Sequence, residues 1–224
     1  MILKTESIKL INAVSRCIKP IFKSVPDMYC NNILKQNCVS ALKSSNPYEL
    51  AYVIDKKTQI PVSKFVGNLH SCEIDLQGVS SPVYIIHSHP SVIGDISLPV
   101  SLQDYILMNN NPFIEKVVAY NIKGEESYLL KKPNFVSLSE KELENLKLRY
   151  SIFLINNLPV EVSKKVKSLI NYSMNNKNCD VINQEIADRL NNIQHSEFAP
   201  EIIDKFWREF SPYCNVEYFS NFTK

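Results

Sequence analysis

Two histidines separated by one residue, His87-Ser88-His89, close the apolar run Tyr84-Ile85-Ile86 and are followed by Pro90. On a strand, residues two apart project to the same face. Two imidazoles at one strand end can therefore grip one metal ion. Pro90 ends the strand and leaves the pair at its C-terminal rim, where sites tend to lie. The chain has four histidines, at 70, 87, 89 and 195, and two of them share this segment. A lone histidine near a strand end is usually structural. The pair by itself leaves a structural and a metal-binding reading equally open.

Catalytic zinc takes three protein ligands and keeps a further position for water. Downstream, Pro99-Val100-Ser101-Leu102-Gln103-Asp104 puts Ser101 where a helix N-cap is expected and Asp104 at the third helical position. That geometry aims the Asp104 carboxylate and the Ser101 hydroxyl at the same rim. Alone, the two residues read as a simple helix cap. Beside His-x-His they read as a third ligand and a hydrogen-bond donor. A metallo-β-lactamase-type site wants Asp and His directly after the pair, but residues 91–94 are Ser-Val-Ile-Gly; a cupin-type site wants Glu a few residues on, and the next is Glu115.

His87-Ser88-His89-Pro90 followed by Ser101-x-x-Asp104 resembles the JAMM (MPN+) zinc metallopeptidase motif, H-x-H, a spacer, then S-x-x-D. The resemblance covers roughly residues 28–132. It implies a mixed-sheet core with Zn²⁺ on His87, His89 and Asp104. It also implies a general acid/base Glu on an early strand, a place that Glu49 fills at the head of Leu50-Ala51-Tyr52-Val53-Ile54. The Ser101 hydroxyl would donate to the water or to the developing oxyanion. The substrate class implied is protein, with ubiquitin or a ubiquitin-like protein in a conjugate as the family's best-known target. Two departures stand out. Eleven residues, Pro90 to Val100, separate His89 from Ser101 where seven are commonest, which reads as a four-residue insertion. Ser97 sits at the usual spacing, but Val100 then takes the Asp place, and Asp95 is a weaker alternative ligand. Near Glu49, Ala51 and Tyr52 stand where many relatives carry Gly, and Glu73 is the rival acid/base.

The elements that must position these residues follow from periodicity. A helix is expected in the first 25 residues, on Ile11, Val14, Ile18, Ile21 and Phe22, and another from Asp27 to Ser44. Strands are expected at 50–54, 62–66, 69–76, 83–87, 116–122 and 127–131, with a helix over 101–109 before the last two. From Ser137 onward four apolar stripes at helical spacing imply helix packing, the fourth on Ile202, Ile203, Phe206, Trp207 and Phe210. The expected organisation is an α/β protein. An N-terminal helical segment (1–27) precedes a mixed-sheet core flanked by helices (28–133), and a helical C-terminal extension follows (134–224).

Composition excludes several classes. With 224 residues, 45% hydrophobic and 21% charged, the chain can bury a sizeable core and is neither disordered nor fibrous. No apolar stretch approaches the roughly 18 residues of a membrane span. The net charge of +2 offers no footprint for nucleic acid, so a role in DNA repair, known among some JAMM relatives, is the weakest reading. Six cysteines at 17, 30, 38, 72, 179 and 214 form no C-x-x-C pair, and the N-terminus has no signal-peptide pattern. Free thiols in a cytoplasmic protein are expected, with signal-less export compatible; Cys38 and Cys72 read as small apolar groups. The competing reading from another class is a metal-free JAMM-like scaffold.

Overall fold

At the centre of the computed structural model is the strand that ends in the two histidines. The structure describes residues 38, 41–42, 48–68, 72–89, 98–121, 123–175 and 198–222. The strands are β1 (Leu50–Asp55), β2 (Pro61–Val66), β3 (Val83–Ser88), β4 (Ile114–Tyr120), β5 (Glu126–Lys131) and β6 (Val216–Ser220). The helices are α1 (Leu102–Asn110), α2 (Glu140–Asn157), α3 (Val160–Asn175) and α4 (Ala199–Phe210). They form one six-stranded mixed sheet in the order β2-β1-β3-β4-β5-β6. Only the β3–β4 join is parallel, and α1 makes that crossover. A parallel pair cannot be linked by a tight turn, so the helix that carries Asp104 is demanded by the topology.

β3 reads Val-Tyr-Ile-Ile-His-Ser because it is buried on both faces, as a central strand must be. Val83 and Ile85 face a large core with Ala51, Val53, Val117 and Leu129, which α1, α2 and α4 close through Tyr105, Met108, Leu146, Leu154, Phe206 and Trp207. Ile86 faces a second cluster with Leu50, Tyr52, Ile54 and Val118, closed by Cys38 and Leu42. Cys38, Ala41 and Leu42 are helical, as expected of that stretch. The period of two therefore puts His87 on the α1 side of the sheet.

Two expectations are corrected. Residues 72–76 form no strand. Asp75 instead accepts from the Gln77 N–H at 2.8 Å, and the chain turns through Gly78, whose φ of +81° favours glycine. Cys72, Ile74 and Leu76 still pack on the large core, so their apolar spacing reflects a strap lying on the core and not a ladder. The extension is not wholly helical either. After α4 the chain reverses through residues 211–215, and β6 pairs antiparallel with β5 from Lys131↔Val216 to Ser127↔Ser220. Val216 is buried and Glu217 exposed, the alternation of a half-covered strand. The extension thus shares one sheet and one core with residues 48–131. The expected helices over 1–25 and around Ile182, the strand start at 69–71, and the loop residues 91–97 with Asp95 and Ser97 lie outside the described residues. No described helix is long and apolar enough to cross a membrane.

Candidate metal centre

His87 is the penultimate residue of β3, and His89 extends the strand by one step, its N–H donating to the Tyr120 carbonyl at the end of β4 at 2.8 Å. The site thus lies outside the carboxyl ends of a parallel pair, beside the helix that links them, the usual place for a site in an open α/β sheet. The two rings meet edge to face with centroids 4.6 Å apart, and their Nε2 atoms converge to 2.9 Å. His89 Nδ1 donates to the Leu98 carbonyl at 2.7 Å. That bond fixes the tautomer and leaves the Nε2 lone pair turned toward His87, which is how a metal-ligating histidine is oriented from behind.

Ser101 and Asp104 form the cap expected of them and do more. The Ser101 N–H donates to Asp104 Oδ2 at 2.6 Å, the Ser101 hydroxyl donates to the same oxygen at 2.9 Å, and the Asp104 N–H donates back to Ser101 Oγ at 3.2 Å. This capping box leaves Oδ1 for the histidines: it lies 3.2 Å from His87 Nε2, and Oδ2 lies 3.8 Å from His89 Nε2. The helix-cap and ligand readings of Asp104 are therefore compatible: Oδ2 takes the cap and Oδ1 faces His87.

Glu49 comes to the same place. One of its carboxylate oxygens lies within 4.8 Å of a ring nitrogen of both His87 and His89. Its backbone is clamped to the end of β2, its N–H donating to the Asn68 carbonyl at 2.9 Å and its carbonyl accepting from the Gly67 N–H at 2.8 Å. The rival, Glu73, is exposed.

Electrostatics follow from burial around a shared charge. Burial of the His87 ring opposes its protonation, but the Asp104 carboxylate more than offsets this, and His87 is raised to about 9. Burial and the His87 charge lower His89 to about 4. Burial would raise Asp104, yet the two imidazoles hold it well below the usual carboxylate range. Burial pushes Glu49 up to about 7, the pull of His87 being partly cancelled by Asp104. The two imidazoles face each other at 2.9 Å with the Asp104 and Glu49 carboxylates beside them. A divalent cation would satisfy both lone pairs at once. A tetrahedral zinc with bonds of about 2.0–2.1 Å holds two ligand nitrogens about 3.3 Å apart, close to the spacing seen. Among the described residues, the side chains whose ligand atoms all lie within 4.8 Å of one another are Glu49, His87 and His89, not the expected set with Asp104, and two imidazoles with a carboxylate oxygen are a donor set that fits a metal. His87 Nδ1 is buried without a well-aligned partner, the Val118 backbone acting on it only weakly.

Among the described residues, Cys38 and Cys72 read as packing groups. Burial raises the Cys38 thiol to about 11 and Cys72 to about 12, so both are neutral at ordinary pH. Cys38 is buried and Cys72 packs against the core, as small apolar groups.

Sequence reasoning missed the residues that hold the candidate ligands in place. The Leu98 carbonyl orients His89. Ser88 Oγ accepts from the Leu50 N–H. Val100 is held by Ser127 Oγ and by the indole of Trp207. None carries a motif signal; the only legible hint is that Trp207 is the single tryptophan, set in an apolar stripe.

No family model, no curated protein and no solved structure matches this chain. The likeness to the JAMM family therefore rests on the motif residues themselves.

Proposed function

We propose that this chain is a zinc-dependent peptidase or isopeptidase that hydrolyses an amide bond with an activated water. The observation that carries the reading is the division of labour on Asp104: one oxygen holds the helix cap while the other faces His87, with Glu49 beside the same pair of rings. His87, His89 and Asp104 would hold the metal. When bound, zinc lowers the pKa of a water in its open position toward about 7 and polarises the scissile carbonyl.

Glu49, raised to about 7 chiefly by burial, is poised to accept a proton near neutral pH. It takes that proton from the water as the water oxygen attacks the amide carbon. It then delivers the proton to the nitrogen as the C–N bond breaks, which balances the step. The Ser101 hydroxyl, which rests on Asp104 Oδ2 at 2.9 Å, would give up that bond to turn its O–H to the developing oxyanion. One well-placed donor of this kind is worth about 3 kcal/mol. No Cys or Ser nucleophile is needed. The resemblance points to ubiquitin or a ubiquitin-like protein as the group removed.

The test is to incubate zinc-loaded protein with a panel of ubiquitin-like conjugates and to read the products by mass spectrometry. Cleavage at one amide bond, lost with chelator and in His87→Ala, is expected. Metal binding without any cleavage would overturn the peptidase reading; absence of metal binding and cleavage together would favour the scaffold.

A further inference from the structure

Residues 98–101 serve two ligands at once. At one end the Leu98 carbonyl orients His89; at the other Ser101 caps the helix that presents Asp104. Between them Val100 is fully buried, and both its backbone polar groups are taken by distant elements. Its N–H donates to Ser127 Oγ on β5 at 2.7 Å, and its carbonyl accepts from Trp207 Nε1 on α4 at 2.8 Å. Buried peptide groups need partners, so this pair fixes both peptide planes flanking Val100. Trp207 is itself fully buried, with ring centroids 5.2 Å from Phe206 and 5.8 Å from Tyr105, the residue next to Asp104. One side chain of the extension therefore touches both the segment before Ser101 and the helix turn that carries the carboxylate.

We propose that Trp207 is a positioning residue for the metal centre: α4, through the indole N–H on the Val100 carbonyl, sets where Leu98 and Asp104 present themselves to His89 and His87. The inference rests on the reading of His87, His89 and Asp104 as metal ligands. It gives the extension a part in metal affinity that a mere cover over the sheet would not have.

Titration of the full chain with Co²⁺, followed by its visible absorption, tests this without recourse to activity. Trp207→Phe keeps an aromatic ring in the core and removes the N–H. Ser127→Ala removes the other clamp with little change in volume. Cobalt affinity should fall about tenfold or more in each, as when outer-shell supports of a metal are lost, with an altered band shape. Leu154→Ala on α2, buried in the same core but making neither of the Val100 bonds, serves as the control: it should lower the melting temperature and leave cobalt affinity unchanged. Parental affinity and spectrum in folded Trp207→Phe overturn the inference. If that variant does not fold, parental behaviour of Ser127→Ala overturns it, and so does an equal affinity loss in Leu154→Ala. A parent protein that binds no Co²⁺ overturns the metal reading itself, and the inference with it.

Discussion

The Leu50 N–H donates to Ser88 Oγ at 2.9 Å, one step beyond the last backbone pair between β1 and β3, Ala51↔His87. Ser88 is the residue between the two histidines, and Leu50 is the residue after Glu49. The side chain that separates the two imidazoles thus ties down the strand that brings the carboxylate. With the Glu49 backbone clamped to β2 on its other side, the acid is fixed relative to the rings from both neighbours.

Ser88→Ala leaves the buried Leu50 N–H without its acceptor, which costs about 1–3 kcal/mol. The urea midpoint should drop accordingly, zinc content should hold, and turnover should fall because Glu49 loosens. Ser88→Thr keeps the hydroxyl and should restore most of the stability. An unchanged midpoint in Ser88→Ala would show that the bond contributes nothing.

Replacing His87 and His89 together by Ala should abolish zinc binding, as measured by elemental analysis of the purified protein. The carboxylates of Asp104 and Glu49 remain but lack the nitrogen donors that suit zinc. Full occupancy in the double variant would place the metal elsewhere.

Glu49→Gln preserves shape and removes basicity. It should retain zinc and lose at least about a hundredfold in turnover, the low end for general acid–base catalysis. Glu73→Gln, at an exposed position, should behave as the parent. The reverse pattern would falsify the assignment of the base, and zinc loss in Glu49→Gln would make that residue a ligand.

A chain ended after residue 133 should fail to unfold cooperatively by circular dichroism. It lacks Phe206, Trp207 and Val216, all buried in the same core as Val53 and Ile85, and it leaves the β5 edge unpaired. A sharp melt for that fragment would make residues 28–133 an independent domain after all.

The placement of the proposed ligands was legible in the sequence because strand and helix-cap periodicities are local. His87 and His89 needed only the period of two; Asp104 needed the Ser101 cap read beside the histidine pair. Glu49 was reachable only through the family resemblance, since its approach to the histidines depends on β1 lying beside β3. β6 was missed because five residues alternating Val-Glu-Tyr-Phe-Ser, after a long run of helical stripes, carry too little pattern to stand out. The strap at 72–76 was mistaken for a strand because apolar alternation records burial against the core, whether or not a ladder forms. The clamps on Val100 were invisible because they join residues 27 and 107 positions apart.

That last separation bears on how the protein is made. During synthesis His87, His89 and Asp104 emerge long before Trp207; 207 − 104 = 103 positions separate the Asp104 carboxylate from the indole. At about 5–20 residues per second, a ribosome takes roughly 5–21 s to cover that distance. Throughout this interval the nascent chain carries all the nitrogen donors and carboxylates of the site, while Val100 lacks its indole partner and β5 its outer neighbour. With Trp207 positioning the site as proposed, the final geometry would form only once α4 has left the exit tunnel, and metal capture in this geometry would be an event of the completed fold.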